Sequence, residues 1–250
     1  IADSFKNYKI SNYQNHVEKL LYKSTNNHTQ SDVGFSVQLS GGLDSSIVLA
    51  LLHKKYGKKI RTYSINIDDP ELNEIKYRKE VNQLYPSEHT EVFCDSNTFA
   101  NSIESTIRSL EAPTTHFGCV LLYDLCKTIS KKNKVVLTGE GSDEIFGGYS
   151  RYTEIEKILF LKALSEKLPK LMISKIKKFN FLKNYQFINP YIELITFRSF
   201  DILKEIFSGL SENTEFVEKT FETFDNARDK LAIYDQTIYL ESLLIRQDKI

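Results

Sequence analysis

Two clusters in this chain hold residues able to do chemistry on phosphates. Residues 37–46 read Val-Gln-Leu-Ser-Gly-Gly-Leu-Asp-Ser-Ser, so a short apolar run enters the turn Ser40-Gly41-Gly42-Leu43-Asp44-Ser45-Ser46 and opens a helix. Glycines let the backbone approach oxygens closely, and successive amides at a helix start attract anions. Ser40, Ser45 and Ser46 add hydroxyl donors. Asp44 has the wrong charge for a phosphate unless a cation lies between them, so it implies Mg2+. The second cluster, Thr138-Gly139-Glu140-Gly141-Ser142-Asp143-Glu144, sets three carboxylates within five residues. As plain structure, Asp143 and Glu144 offset a helix dipole. As chemistry, Glu140 and Asp143 point into a crevice where a shared Mg2+–polyphosphate removes their repulsion from Asp44. Spacing alone leaves both readings open.

The elements that must position these clusters follow from hydrophobic periodicity. Residues 7–24 carry helical apolar spacing (Tyr8, Tyr13, Val17, Leu20, Leu21), and Asn26 to Asp32 reads as a loop. Apolar or β-branched runs at Phe35–Leu39, Lys59–Ile67, His89–Phe93 and Val135–Leu137 read as strands. Helical patterns at Ser46–Tyr56, Glu71–Leu84, Thr98–Leu110 and Cys119–Ser130 alternate with them. That alternation predicts an α/β fold with a doubly wound, mostly parallel sheet. Ligands bind such sheets beyond the carboxyl ends of the strands, where both clusters lie. Residues 151–250 read as a helical extension broken at Pro169 and Pro190, and no internal repeat is visible. The expected organisation is a helix and linker over 1–30, a nucleotide-binding α/β domain over 31–150 and the helical extension over 151–250.

Composition narrows the function classes. The chain has 250 residues, 41% hydrophobic and 26% charged, with Lys+Arg and Asp+Glu both at 33. A zero net charge argues against a general nucleic-acid binder, leaving only a local basic patch at Lys170, Lys175, Lys177 and Lys178. Cys94, Cys119 and Cys126 lack zinc spacing, and the odd count suggests a reducing, cytoplasmic setting. Cys119 and Cys126 share a helix face and read as small hydrophobes. No apolar run reaches the length of a membrane span.

The glycine-rich turn is not a Walker A loop, because no lysine follows its glycines. It resembles the PP-loop of the ATP pyrophosphatases (adenine nucleotide alpha hydrolase-like), which split ATP to AMP and pyrophosphate. Taken with Gly139-Glu140-Gly141-Ser142-Asp143-Glu144-Ile145-Phe146-Gly147-Gly148-Tyr149, it resembles the synthetase domain of the asparagine synthetase B family. Ser31-Asp32-Val33, Tyr63-Ser64-Ile65, Asn73-Glu74 through His89, Glu111-Ala112-Pro113 and Tyr239 to Lys249 extend the likeness over residues 31–250.

The resemblance implies an amide-forming ligase. ATP activates a side-chain carboxylate, that of aspartate, as an acyl-adenylate, and ammonia drawn from glutamine displaces AMP. It also implies roles. Leu39, Ile65, Thr138 and Gly139 contact adenine and ribose; Ser40 to Ser46, with Gly41 and Gly42, hold pyrophosphate; Asp44 and Asp143 ligate Mg2+; Glu140 sits near the acyl carbon. The family's glutaminase domain and its leading cysteine are not in a chain that opens on Ile1. Nor is the Pro-Phe-Leu-Asp signature, and Lys249 is not read as the family's later lysine. The expectation is therefore a fragment of a longer protein, making little or no amide alone. Three rivals stand beside this reading: the same chemistry on a sugar uronate in surface-polysaccharide assembly, a tRNA-modifying ATP pyrophosphatase, and a catalytically silent nucleotide-binding module.

Overall fold

The structure, a computed structural model, describes residues 10–69, 73–114, 116–167 and 226–250. The basic cluster at Lys170 to Lys178, the breaks at Pro169 and Pro190, and Glu71 as a helix start lie outside the described residues. The chain divides into two compact units, Ile1–Glu140 with Ile245–Ile250, and Gly141–Leu244.

The first unit alternates helix and strand. Its described elements are α1 (Ile10–His28), β1 (Phe35–Gln38), α2 (Leu43–Tyr56), β2 (Arg61–Ile67), α3 (Ile75–Leu84), β3 (Glu88–Cys94), α4 (Ser96–Leu110), α5 (Gly118–Ile129) and β4 (Val135–Leu137). α1 runs past the expected loop start at Asn26. Its last turn is closed by polar groups, with the Thr29 amide and hydroxyl both donating to the Asn26 carbonyl. α4 begins at an N-cap, where Asp95 accepts from the Thr98 amide at 2.7 Å.

Four strands form one sheet in the order β3-β2-β1-β4, and all three pairings are parallel. The in-register residues Val37, Thr62 and Leu137 share one face; Gln38 and Tyr63 share the other. On the first face Val37 and Leu39 pack with Leu49 and Leu52 of α2, Ile60, and Val81 of α3. On the opposite face Tyr63, Val92 and Val136 pack with Leu122, Leu125 and Ile129 of α5. Helices thus cover both faces, as a parallel sheet requires. The chain steps from β1 outward to β2 and β3, then returns to β1's other side as β4. The order therefore reverses between β1 and β4, the place where open α/β sheets bind ligands.

The second unit is helical where described. It holds α6 (Ser142–Phe146), α7 (Arg151–Lys167), α8 (Ala227–Tyr234), a π-helical turn (Asp235–Tyr239) and the start of α9 (Leu240–Lys249). Tyr152, Ile155 and Leu231 form its buried cluster. Within it the fully buried Asp235 carboxylate pairs with Arg151 Nε at 3.0 Å. The Arg151 guanidinium lies 3.8 Å over the Tyr149 ring and 4.8 Å from that of Tyr239. The π turn was not legible from spacing; it aims Asp235 inward and lets Gln236 donate to the Glu144 carbonyl at 2.9 Å.

Candidate functional site

The site begins where the ladder of β1 ends. The Leu39 amide donates to the Tyr63 carbonyl at 2.8 Å, and the Ser64 hydroxyl donates to the Leu39 carbonyl. Leu39 itself is fully buried in the core, so it seats the loop and presents no side-chain surface to a ligand. Past it the chain turns sharply. Gly41 adopts φ +105°, a conformation that disfavours any side chain. A Cβ there would also meet Arg78 Cγ and the Glu74 carbonyl, each at 2.8 Å.

The loop's hydroxyls are turned upon the loop. Ser45 Oγ takes the Ser40 amide at 3.2 Å and lies 3.0 Å from Ser40 Oγ. The Gly42 amide donates to Ser40 Oγ at 3.0 Å, and Ser46 Oγ donates to the Gly42 carbonyl at 2.6 Å. These bonds fix the first turn of α2, whose N-cap Gly42 carries no capping side chain. The opening amides of α2 thus have no side-chain cap in front of them, the arrangement an anion finds at a helix N-terminus. Asp44 lies in that same turn.

β4 delivers the first residues of the second cluster, Thr138 and Gly139, to this place. Gly139 packs so closely on the start of α2 that a Cβ would sit 2.8 Å from both Asp44 Cβ and the Ser45 amide nitrogen. Thr138 and Gly139 are half-buried, and the Thr138 hydroxyl accepts from the Glu140 amide at 3.3 Å. Ile65, at the end of β2, is half-buried as well. The structure therefore brings Ser40 to Ser46, Thr138 and Gly139 together at the switch point, with Glu140 the next residue along.

Asp143 belongs to the second unit and has a separate setting. It opens α6 between Gly141 and Gly147, both with positive φ. A Cβ on Gly148 would fall 1.9 Å from Asp143 Oδ1, so the Gly147-Gly148 pair leaves room for that carboxylate. Glu144 is buried and accepts from the Tyr149 hydroxyl at 2.6 Å; burial, then that bond, push the Tyr149 pKa well above its ordinary value.

The asparagine synthase family model matches residues 16–250. The chain belongs to the asparagine synthase family. It is 27% identical to glutamine-hydrolyzing asparagine synthetase 1 of Bacillus subtilis over 157 residues, covering 63% of this chain and 25% of that protein. It is 31% identical to asparagine synthetase B of Escherichia coli over 150 residues, 54% of this chain and 27% of that one. To the glutamine-hydrolyzing asparagine synthetase of Rattus norvegicus it is 34% identical over 155 residues, 58% and 27% of the two chains. The chain thus spans about a quarter of the length of these curated relatives. An NH3-dependent NAD synthetase from Campylobacter jejuni superposes with a TM-score of 0.41 at 13% identity, over 93% of this chain and 95% of that one, a likeness too slight to bear on function.

Two residues of this asparagine synthase domain escaped the sequence reading. Gln247, in α9, donates to Glu140 Oε2 at 2.7 Å from 107 residues away. It orients the carboxylate that the family resemblance places near the acyl carbon. Lys249, two residues on, pairs with Glu111 at 2.9 Å. The other is Arg78 of α3, which lies against Gly41 and is 3% exposed. A charged side chain in the run Lys76-Tyr77-Arg78-Lys79-Glu80 gives no sign that the fold will bury it. Burial pulls its pKa below the ordinary value, while Glu91 and Glu74 act the other way. No described helix is long and apolar enough to cross a membrane.

Proposed function

We propose that this chain is the ATP-binding synthetase part of an amide-forming ligase that works through AMP and pyrophosphate. One observation carries the reading: the ends of β1 and β4 meet at the switch point, with Gly139 flush against Asp44 and Ser45. That contact puts an uncapped helix start, a glycine-rich backbone and a carboxylate in one place. The donor set suits a polyphosphate with a hard cation between it and Asp44. Asp44 and Asp143 are the proposed Mg2+ ligands, and Mg2+ supplies charge neutralisation at the phosphates. Ile65, Thr138 and Gly139 border the adenosine end, and Leu39 supports the loop from within the core.

Attack on the α-phosphorus by a substrate carboxylate gives an acyl-adenylate and pyrophosphate; ammonia then displaces AMP. Glu140, which accepts a hydrogen bond from Gln247, is the proposed acceptor of the proton that the incoming ammonia sheds. The relatives' names, glutamine-hydrolyzing asparagine synthetases, favour aspartate as the carboxylate and glutamine as the nitrogen source, the latter through a glutaminase domain in the parent protein. The 31–150 segment is the proposed nucleotide-binding part. Cys94, Cys119 and Cys126 are free thiols, which supports a cytoplasmic setting.

The test is the fate of ATP labelled at the γ position when the full-length parent protein is given aspartate and ammonia. Labelled pyrophosphate is expected, with Asp44→Ala reducing its formation by about 10²–10³-fold. Labelled orthophosphate as the first product contradicts the reading.

A further inference from the structure

Arg78 is withdrawn from solvent yet makes no ion pair among the described residues. Its guanidinium is spent on neutral acceptors. Nη1 donates to the Ile65 carbonyl at 3.1 Å and reaches the Ser40 carbonyl at 3.5 Å; Nη2 donates to Asn66 Oδ1. Nε is buried and has no hydrogen-bond partner. The Ser40 carbonyl lies just past β1 and the Ile65 carbonyl lies on β2, both beyond the bond from Leu39 to Tyr63 that ends the β1–β2 pairing. Beyond it β1 has ended and leaves a gap beside β2, which stays paired with β3 as far as Ile67. Arg78 spans the gap, and its Cγ forms the wall that a Cβ on Gly41 would strike.

The sheet is built to receive it. Thr62, Ser64 and Asn66 alternate along β2 and face the same side as Arg78. Thr62 bonds His89 Nδ1 at 2.8 Å, Ser64 bonds the Leu39 carbonyl, and Asn66 bonds both Arg78 and Glu91. Asn73 fixes the start of α3 by exchanging two hydrogen bonds with the Ile67 backbone, its Nδ2 donating at 2.6 Å and its Oδ1 accepting at 3.2 Å. The base of α3 is therefore fastened to the end of β2, and Arg78 is delivered behind the loop with little freedom.

We propose that Arg78 is the positioning residue of the polyphosphate loop, holding Ser40 and Gly41 in their anion-receiving shape while lending the loop a fixed positive charge. The inference rests on the nucleotide reading above. A Walker loop draws its positive charge from a lysine within the loop itself. This loop has none, and Arg78 supplies the charge from behind while its own hydrogen bonds go to neutral acceptors. Glu91 and Glu74 act on its charge without an ion pair among the described residues, and Glu74 Oε2 lies 3.7 Å from where a Cβ on Gly42 would sit.

The experiment titrates the protein and its Arg78→Lys and Arg78→Met variants with MgATP, Mg-pyrophosphate and adenosine, alongside their melting temperatures. Loss of the charge and both carbonyl bonds in Arg78→Met should weaken MgATP and pyrophosphate about tenfold or more. Arg78→Lys, which keeps the charge, should fall between that variant and the unaltered protein. Adenosine affinity should stay within about twofold in both, because adenosine has no anion for the loop. MgATP affinity unchanged in either folded variant overturns the proposal, as does equal weakening of adenosine and MgATP, the mark of a merely structural role. If Arg78→Met does not fold, the lysine variant decides by the same readings. An unaltered protein that binds neither MgATP nor pyrophosphate overturns the nucleotide reading and this inference together; binding that ignores Arg78 overturns this inference alone.

Discussion

Arg78 and Arg151 are both withdrawn from solvent, one in each compact unit, and they are partnered in different ways. Arg151 has a buried carboxylate at 3.0 Å and lies against the rings of Tyr149 and Tyr239. Its charge is cancelled where it stands, so its work is to fasten α7 to the π turn after α8. Arg78 meets only carbonyls and an amide oxygen. Those contacts engage Nη1 and Nη2, leave Nε without a partner, and put no ion pair on its charge. A buried cation paired with an anion is structure; one solvated by dipoles beside an uncapped helix start is a field waiting for an anion.

The largest expected effect tests the paired case. Asp235→Ala leaves Arg151 buried without its counter-charge, and breaking such a pair costs about 3–5 kcal/mol. Urea unfolding followed by hydrogen exchange in α7 and α8 measures it. In the first unit no carboxylate has that standing toward Arg78, so Glu74→Gln and Glu91→Gln should each cost less than about 1 kcal/mol. A loss of several kcal/mol from either of these would show that Arg78 is ion-paired after all, and the contrast would collapse.

A middle-sized effect probes how the loop is closed rather than how it is charged. Gly139→Ala drives a methyl into Asp44 Cβ and the Ser45 amide at 2.8 Å. Neither is the free end of a flexible side chain, so the start of α2 must shift, at about 1–3 kcal/mol of overpacking. The control is Gly118→Ala in α5, where a Cβ meets nothing within 4 Å. That change should be neutral or stabilising by up to about 1 kcal/mol. Equal melting temperatures for the two variants would mean that Gly139 does not press on the loop.

Much of the site could be read before the fold was seen, for a physical reason. Glycine-rich turns after apolar runs are local in sequence, and alternation of strand and helix permits little besides a parallel sheet. What escaped was whatever depends on distant chain segments or on a side chain's eventual burial. Arg78 sits in a helix with Lys76, Lys79 and Glu80, a pattern that reads as a solvated face. Thr62, Ser64 and Asn66 lie in a run whose β-branched and aromatic residues announce only a strand. Gln247 reaches Glu140 from the far end of the chain. Leu39 shows the converse: its position beside the loop suggests ligand contact, while its apolar side chain follows the period of the strand into the core.

The smallest effect turns the same contrast of charged against neutral partners onto helix caps. In the first unit Asp95 caps α4 with a carboxylate, accepting from the Thr98 amide at 2.7 Å. In the second, Asn226 caps α8 with a neutral amide, accepting from the Asp229 amide at 2.7 Å. The hydrogen bonds from Thr98 hold the Asp95 pKa below its ordinary value. A carboxylate whose folded pKa is depressed contributes stability that is fully present above its unfolded pKa. That contribution is lost as pH falls through the folded pKa, so it fades below the ordinary carboxylate range. The bond that Asn226 makes has no such proton to gain. Hydrogen exchange at the Thr98 amide should therefore lose protection on acidification more steeply in the unaltered protein than in Asp95→Asn, which keeps an acceptor but cannot titrate. Above neutral pH the carboxylate should protect better than the amide, since it also answers the positive end of the α4 dipole. Identical pH profiles for the two proteins at Thr98 would mean that the cap's charge contributes nothing and that only its oxygen matters.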